Sequence, residues 1–280
     1  MKPITTEHLE EIEITPPTGM VRLQLGDLWR HRDLLRYLAI RDVAMTYANT
    51  TIGIFWVLLQ PMAMAIVLTI VMGILVRVPT GGVPYPLVIM SGFPFWIYFS
   101  GVLTRSANSM GANAHLLTKV YFPRAIIVLV PVLTGLLDLL VLLSVVLISA
   151  PFFGTWPSWS WLLLPLPIAM TVLLALGLGL GLSLLTVHSR DIGLALPVVL
   201  QVGMYLCPII YPIGLVPAGW RWLYDLNPMV GIVELARWAL LGGSEVPVYS
   251  LSASIIFITL AMIIGVVFFR VMEDATADLV

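Results

Sequence analysis

AIIVLVPVLTGLLDLLVLLSVVLISAPFF, residues 125–153, decides the fold class of this chain. A transmembrane helix needs about 20 mainly apolar residues. This run exceeds that, enough to cross with a tilt, and Asp138 is its one ionisable residue. Working outward, five further runs read the same way, at residues 52–76, 85–107, 159–187, 192–213 and 251–269. A transmembrane β-barrel would show segments of about ten residues with alternating polarity, and these continuous runs do not alternate.

The composition agrees. Of 280 residues, 60% are AVILMFWYC and 10% are DEKR. Soluble domains are about 45–50% apolar and about 25% charged, so a water-soluble enzyme is excluded. Fourteen Lys+Arg against fifteen Asp+Glu leave no basic excess for nucleic acid. The lone Cys207 rules out an internal disulfide or a cysteine-rich metal cluster. The expected fold is an all-α integral membrane protein with six transmembrane helices.

Basic residues set the orientation, because cytoplasmic loops hold most Lys and Arg. With the N-terminus inside, only Arg77, Arg221 and Arg237 fall outside. Both termini are therefore expected in the cytoplasm, on a multi-pass protein of the cytoplasmic (inner) membrane. Trp156, Trp159 and Trp161 then fall at the outer headgroup level. Residues 1–24 lack the basic start and apolar middle of a secretory signal. The expected divisions are a flexible tail at 1–26, an amphipathic helix with the lead-in to the first span at 27–51, the six-span domain at 52–272 and a short tail at 273–280.

Three connecting segments carry information. In residues 27–45, Leu28, Leu35, Leu38 and Ala39 recur at helical spacing behind a plausible N-cap, Asp27. Arg30, Arg36 and Arg41 are left for water or phosphates, as in a helix lying in the membrane interface. Residues 105–124, RSANSMGANAHLLTKVYFPR, read as a polar loop ending in a short amphipathic stretch at 115–120. Residues 214–250 hold two apolar stretches around Asn227-Pro228, too short to span, which suits short re-entrant or interfacial helices. Glu234 and Arg237 within them can pair on one helical face. Asp138 must face protein or water, be protonated or be paired. Gly177, Gly179 and Gly181 suggest close helix packing.

No phosphate-binding loop is present: the two lysines, Lys2 and Lys119, follow Met1 and Thr118, where that motif requires glycine. His8, His31, His115 and His188 show no metal-ligand spacing. The chain carries no catalytic, cofactor or metal motif, so active transport would draw on an ion gradient or a separate subunit.

The ordered motifs resemble the type-2 permease subunits of ATP-binding-cassette exporters, in particular the polysaccharide-export branch. Arg41-Asp42, Tyr47, Thr51, Gly53, Trp56 and Pro61 match the lead-in and first span, and Gly92 and Trp96 the second. Asn108, Asn113, Leu116, Lys119, Phe122, Pro123 and Arg124 match the following loop, and Arg190-Asp191 a later cytoplasmic turn. Pro208, Tyr211, Pro212, Pro217, Asn227-Pro228 and Arg237 match the outer hairpin. Val43-Ala44 depart from the pattern, which commonly has a basic residue there.

The resemblance implies an interface helix bearing Arg36, Arg41 and Asp42. It implies a coupling helix seated in an ATPase groove through Asn113, His115, Leu116, Lys119, Phe122 and Arg124. Outer gate helices would use Tyr211, Pro212, Asn227, Pro228, Glu234 and Arg237. The working unit would be a homodimer of this chain with two ATPase subunits, which hold ATP and Mg. Its substrate would be a lipid-linked polysaccharide of O-antigen, capsule or teichoic-acid type. Tyr47, Phe55, Trp56, Trp96, Tyr98 and Tyr205 are the candidate channel-lining residues, since aromatic faces suit sugar C–H faces. An exporter of small hydrophobic drugs, or a gradient-driven carrier using Asp138, are the alternatives.

Overall fold

The structure, a computed structural model, describes residues 25–47, 52–119, 122–242 and 247–273. No strand occurs among the described residues. In chain order the helices are α1 (Leu25–Arg30), α2 (Arg32–Tyr47), α3 (Trp56–Leu68), α4 (Tyr85–Ala112), α5 (Ala114–Leu117), α6 (Ala125–Ser149), α7 (Pro165–His188), α8 (Arg190–Tyr205), α9 (Ala218–Asp225), α10 (Pro228–Leu241) and α11 (Val248–Glu273). α3 runs on as π-helical turns over Thr69–Leu75, and α6 as a 3-10 turn over Ala150–Phe153. Another 3-10 turn, Trp159–Leu163, leads into α7.

Five of these helical stretches are long and apolar enough to cross a membrane: Trp56–Leu75, Tyr85–Ala112, Ala125–Phe153, Trp159–His188 and Val248–Met272. The sixth expected run, 192–213, differs. Its helix stops at Tyr205 after 16 residues, about 24 Å, against a hydrocarbon core of about 30 Å. Pro208 and Pro212 cause the stop, because proline cannot donate to a helical ladder and disfavours helical backbone in the residue before it.

α4 is the central post, packing on α6, α7, α8 and α10. Leu87, Ile89, Phe95, Val102 and Ala107 on it are fully buried. The segment expected as a polar loop from 105 is helical to Ala112. Its small residues explain this: Ser106, Ala107 and Ser109 are buried and let α7 approach. There the Thr186 hydroxyl donates to the Ala107 carbonyl.

α7 and α11 meet where a Cβ on Gly177 would lie 2.8 Å from the backbone of Ala261. A Cβ on Gly265 would collide with the Gly177 carbonyl. Gly179 sits 3.0 Å from the Ser106 side chain by the same measure, whereas Gly181 faces open space. Two of the three glycines expected to pack therefore do so.

α1 and α2 form one amphipathic segment with a turn at His31. Asp27 lies within the described helix Leu25–Arg30 and does not precede it as a cap. Thr51, and Val120 at the end of the 115–120 stretch, lie outside the described residues, as do 1–24 and 274–280.

Candidate functional site

Leu38 on α2 is buried against Phe122, Ile126, Ile127 and Val130, with Leu34, Leu35, Leu116 and Leu117 beside it. The interface segment thus lies over the turn that follows α4. Arg41 donates to Asn113 Oδ1 at 3.1 Å, and Asn113 Nδ2 donates to Ser109 O at 2.9 Å. These bonds tie α2 to the last turn of α4.

The consequence for the coupling residues is specific. His115, Thr118 and Lys119 are exposed, Leu116 and Arg124 are partly covered, and Phe122 is buried at 6% exposure. Phe122 therefore belongs to the internal joint and is not on the outward face. Thr118, which sequence reasoning passed over, does lie on that face. α5 itself is only four residues long, shorter than the stretch expected at 115–120.

Further along α2, Asp42 accepts from the Thr134 hydroxyl at 2.8 Å. Arg105 Nη1 lies 3.8 Å from Asp42 Oδ2, and its Nη2 lies 4.0 Å from Asp138 Oδ2. The Tyr47 hydroxyl donates to Asp138 Oδ1 at 2.6 Å. Burial and then this bond push the Tyr47 phenol well above its ordinary pKa. Asp138 is therefore a paired carboxylate, one of the sequence-level alternatives. Arg105 and Thr134 were not expected here; Arg105 had been counted only as a cytoplasmic charge.

Tyr47 and Asp138 also stand at the edge of a groove of about 910 Å³ between α3, α4, α6 and α8. Trp56, Gln60, Met64, Phe93, Trp96, Ser100 and Met204 line it further. Of the six candidate lining residues, Tyr47, Trp56 and Trp96 share this wall. Tyr98 is packed in the core, 3% exposed, with its hydroxyl donating to Val132 O at 3.0 Å. Phe55 and Tyr205 are exposed and do not line the groove. The groove is open because α3 is barely covered: only 11% of its apolar window is buried.

At the opposite end, α10 is held by polar contacts. Asn227 caps it, its Oδ1 accepting from Met229 N at 3.0 Å, with Pro228 at the first helical position. The Asn227 Nδ2 reaches Cys207 Sγ at 3.3 Å. Arg237 donates to Glu234 Oε1 at 2.6 Å and to Pro208 O at 2.6 Å. It also approaches Ser91 Oγ and Val88 O at 3.4 Å. Both side chains are largely covered, 13% and 15% exposed, so this is an internal pair and not a surface one. It binds α10 to α4 and to the 206–212 turn.

Tyr85 fixes the same turn by donating to Ile210 O at 2.6 Å. Tyr211 lies between Tyr205 O, 2.8 Å, and the Tyr224 hydroxyl, 2.7 Å. Ser160 and Trp161 donate to Ala239 O and Leu240 O, closing the carbonyl end of α10. The two short helices expected between the last spans are thus α9, largely exposed, and α10, mostly enclosed by protein.

Comparison with known proteins gives this architecture a family. The ABC-2 type transporter family matches residues 33–241. The chain is 26% identical to the O-antigen export system permease protein RfbA of Myxococcus xanthus, over 76% of this chain and 82% of that protein. It is also 26% identical to the O-antigen export system permease protein RfbA of Klebsiella pneumoniae, over 92% and 98% respectively. Identity to the polysialic acid transport protein KpsM of Escherichia coli is 25%, over 85% and 93%. With the α2 joint, four of the five spanning stretches and the Asn227–Arg237 hairpin inside the matched region, this chain belongs to the ABC-2 type transporter family.

Proposed function

We propose that this chain is the membrane subunit of an ATP-driven exporter that moves a polysaccharide across the cytoplasmic membrane. The observation that carries the reading is the groove wall, which holds the aromatic rings of Tyr47, Trp56 and Trp96 together with the polar groups of Gln60, Ser100 and Asp138. Aromatic faces allow a sugar chain to slide because the contact is not tied to one hydrogen-bond geometry. The permease names of the relatives support the same substrate class.

Energy comes from a separate ATPase subunit, as no phosphate-binding loop exists in this sequence. That subunit docks on the face carrying His115, Thr118 and Lys119, which is cytoplasmic. Movement passes through the buried Phe122–Leu38 joint into α2. Two copies of the chain meet through the outward faces of α3 and α8, where Ile66, Leu194, Val198 and Val202 are exposed. The polymer, carried on a lipid, runs between the two grooves. The α10 hairpin closes the outer end.

Co-purification of the tagged chain with its chromosomal neighbours tests this. A complex of two permeases and two ATPases whose ATP hydrolysis is stimulated by a lipid-linked glycan is the expected result. A permease that purifies alone and transports in an ion gradient would overturn it.

A further inference from the structure

We propose, building on the ATP-driven reading above, that Arg105 is a positioning residue for transport. Its guanidinium divides one positive charge between Asp42 on α2 and Asp138 on the groove wall, and the division shifts when α2 moves.

The seat of Arg105 is made by three elements. Gly135 leaves α6 bare beside α4: a Cβ there would lie 2.9 Å from Arg105 Nη2 and 2.7 Å from Val102 Cγ2. Thr134 and Asp138, four residues apart, share a face of α6. Arg105 Nη1 is 3.4 Å from Thr134 Oγ1, and Nη2 is 4.0 Å from Asp138 Oδ2. The third partner comes from α2. Asp42 Oδ2 lies 3.8 Å from Nη1 and accepts from the Thr134 hydroxyl at 2.8 Å.

Both ionic distances are long. A charge-assisted bond between guanidinium and carboxylate closes to about 2.7–2.9 Å, so Arg105 is bound tightly to neither acid and stands between them. A shift of about 1 Å closes either pair. Each acid has its own anchor, Asp42 in the Thr134 hydroxyl and Asp138 in the Tyr47 hydroxyl. The two acids belong to parts with different duties. Asp42 rides on α2, which Leu38 seats on the joint behind the face of His115, Thr118 and Lys119. Asp138 is the charged residue among the described residues lining the groove. Tyr47, the last residue of α2, is fastened to Asp138 and serves as the pivot. Asp42, five residues earlier and about 7 Å along the axis, is carried on the swinging arm. Drawn outward, it releases Arg105 to Asp138 and the wall is neutralised. Pressed inward, it takes the guanidinium and the wall is left negative.

Modification of a cysteine in the groove reads this division. The site is Ser100→Cys, a near-isosteric change at a lining position, and the native Cys207 is buried. The whole complex, permease with ATPase, is treated with a trimethylammonium and with a sulfonate methanethiosulfonate reagent. Both are applied without nucleotide and with a non-hydrolysable ATP analogue. The ratio of the two rates reports local charge, and it is expected to change roughly threefold or more between the states. Asp42→Asn keeps an oxygen for Thr134 and loses only the charge; it makes the ratio equal in both states. Asp138→Asn does the same. Arg105→Gln holds the ratio at the cation-preferring value throughout. A ratio equal in both states without these substitutions, or one that still changes in either asparagine variant, overturns the proposal and leaves the ATP-driven reading in place. A chain that brings no ATPase subunit with it when purified with its chromosomal neighbours overturns that reading and the proposal together.

Discussion

Tyr47 and Asp138, 91 positions apart, are joined by a 2.6 Å hydrogen bond that fastens the end of α2 to the middle of α6. The phenol is the donor and the carboxylate the acceptor, so the bond exists only while tyrosine keeps its proton. A hydrogen bond to a charged group contributes about 1.5–3 kcal/mol when well buried. This one is partly exposed, so Tyr47→Phe is expected to cost about 1 kcal/mol in thermal unfolding of the purified protein. The pH dependence has a definite sign. Above about pH 10 the unfolded phenol ionises while the folded one, with its raised pKa, holds its proton. Stability from this group is complete below that pH and falls as pH rises. The Tyr47→Phe protein should lack this portion of the alkaline loss.

Lys119 and Phe122 belong to the same turn but should fail differently. Lys119 is exposed, and Lys119→Ala is expected to lower glycan-stimulated ATP hydrolysis while membrane insertion and melting temperature stay at wild-type values. Phe122 is buried under Leu38, and Phe122→Ala should cost about 3 kcal/mol through the cavity it leaves. Parallel melting and ATPase curves separate the two. A Phe122→Ala protein of full stability would contradict the buried joint.

Glu234 and Arg237 form a covered ion pair whose arginine also satisfies Pro208 O. Removing one partner of such a pair typically costs about 3–5 kcal/mol, because the other charge is left uncompensated. Glu234→Gln should therefore loosen the hairpin by less than Arg237→Met, which strips both the carboxylate and the Pro208 carbonyl of their donor. Hydrogen exchange over residues 206–212 and α10 reads this directly.

Gly231 faces Ser250 and Ser254 so closely that a Cβ would overlap the Ser254 hydroxyl. Gly231→Ala is expected to destabilise by about 1–3 kcal/mol through overpacking. Gly181→Ala, which enters open space, should be neutral or slightly stabilising. Thermal melts of the two proteins provide the comparison.

The spans were legible because an apolar run of membrane length has few other uses, and Ala125–Phe153 kept its expected bounds in full. The run at 192–213 misled, since hydropathy continues through Pro208 and Pro212 where helical geometry does not. The polar cluster was not legible. Asp42, Arg105 and Asp138 sit on three elements, and nothing in linear spacing says that α2, α4 and α6 turn those side chains toward one another. The stretch Ser106–Ala112 did carry a signal: small residues at helical intervals mark a close-packed face, and reading them as loop residues cut α4 short. Phe122 was placed on the outward coupling face by the resemblance alone. Nothing in linear spacing says that α2 is laid across it and buries it under Leu38.

Where α7 crosses α11, Gly177 and Gly265 bring two main chains together with no side chains between them. Such a seam has no soft layer to compress and no rotamers to rearrange, so the two helices travel as one block. Freedom to rock must be sought in the parts with slack, and α3 and α8 are those, since their outward faces are exposed among the described residues. A transport stroke in this protein would then be a hinged panel moving against a fixed frame, with α7 and α11 as the frame.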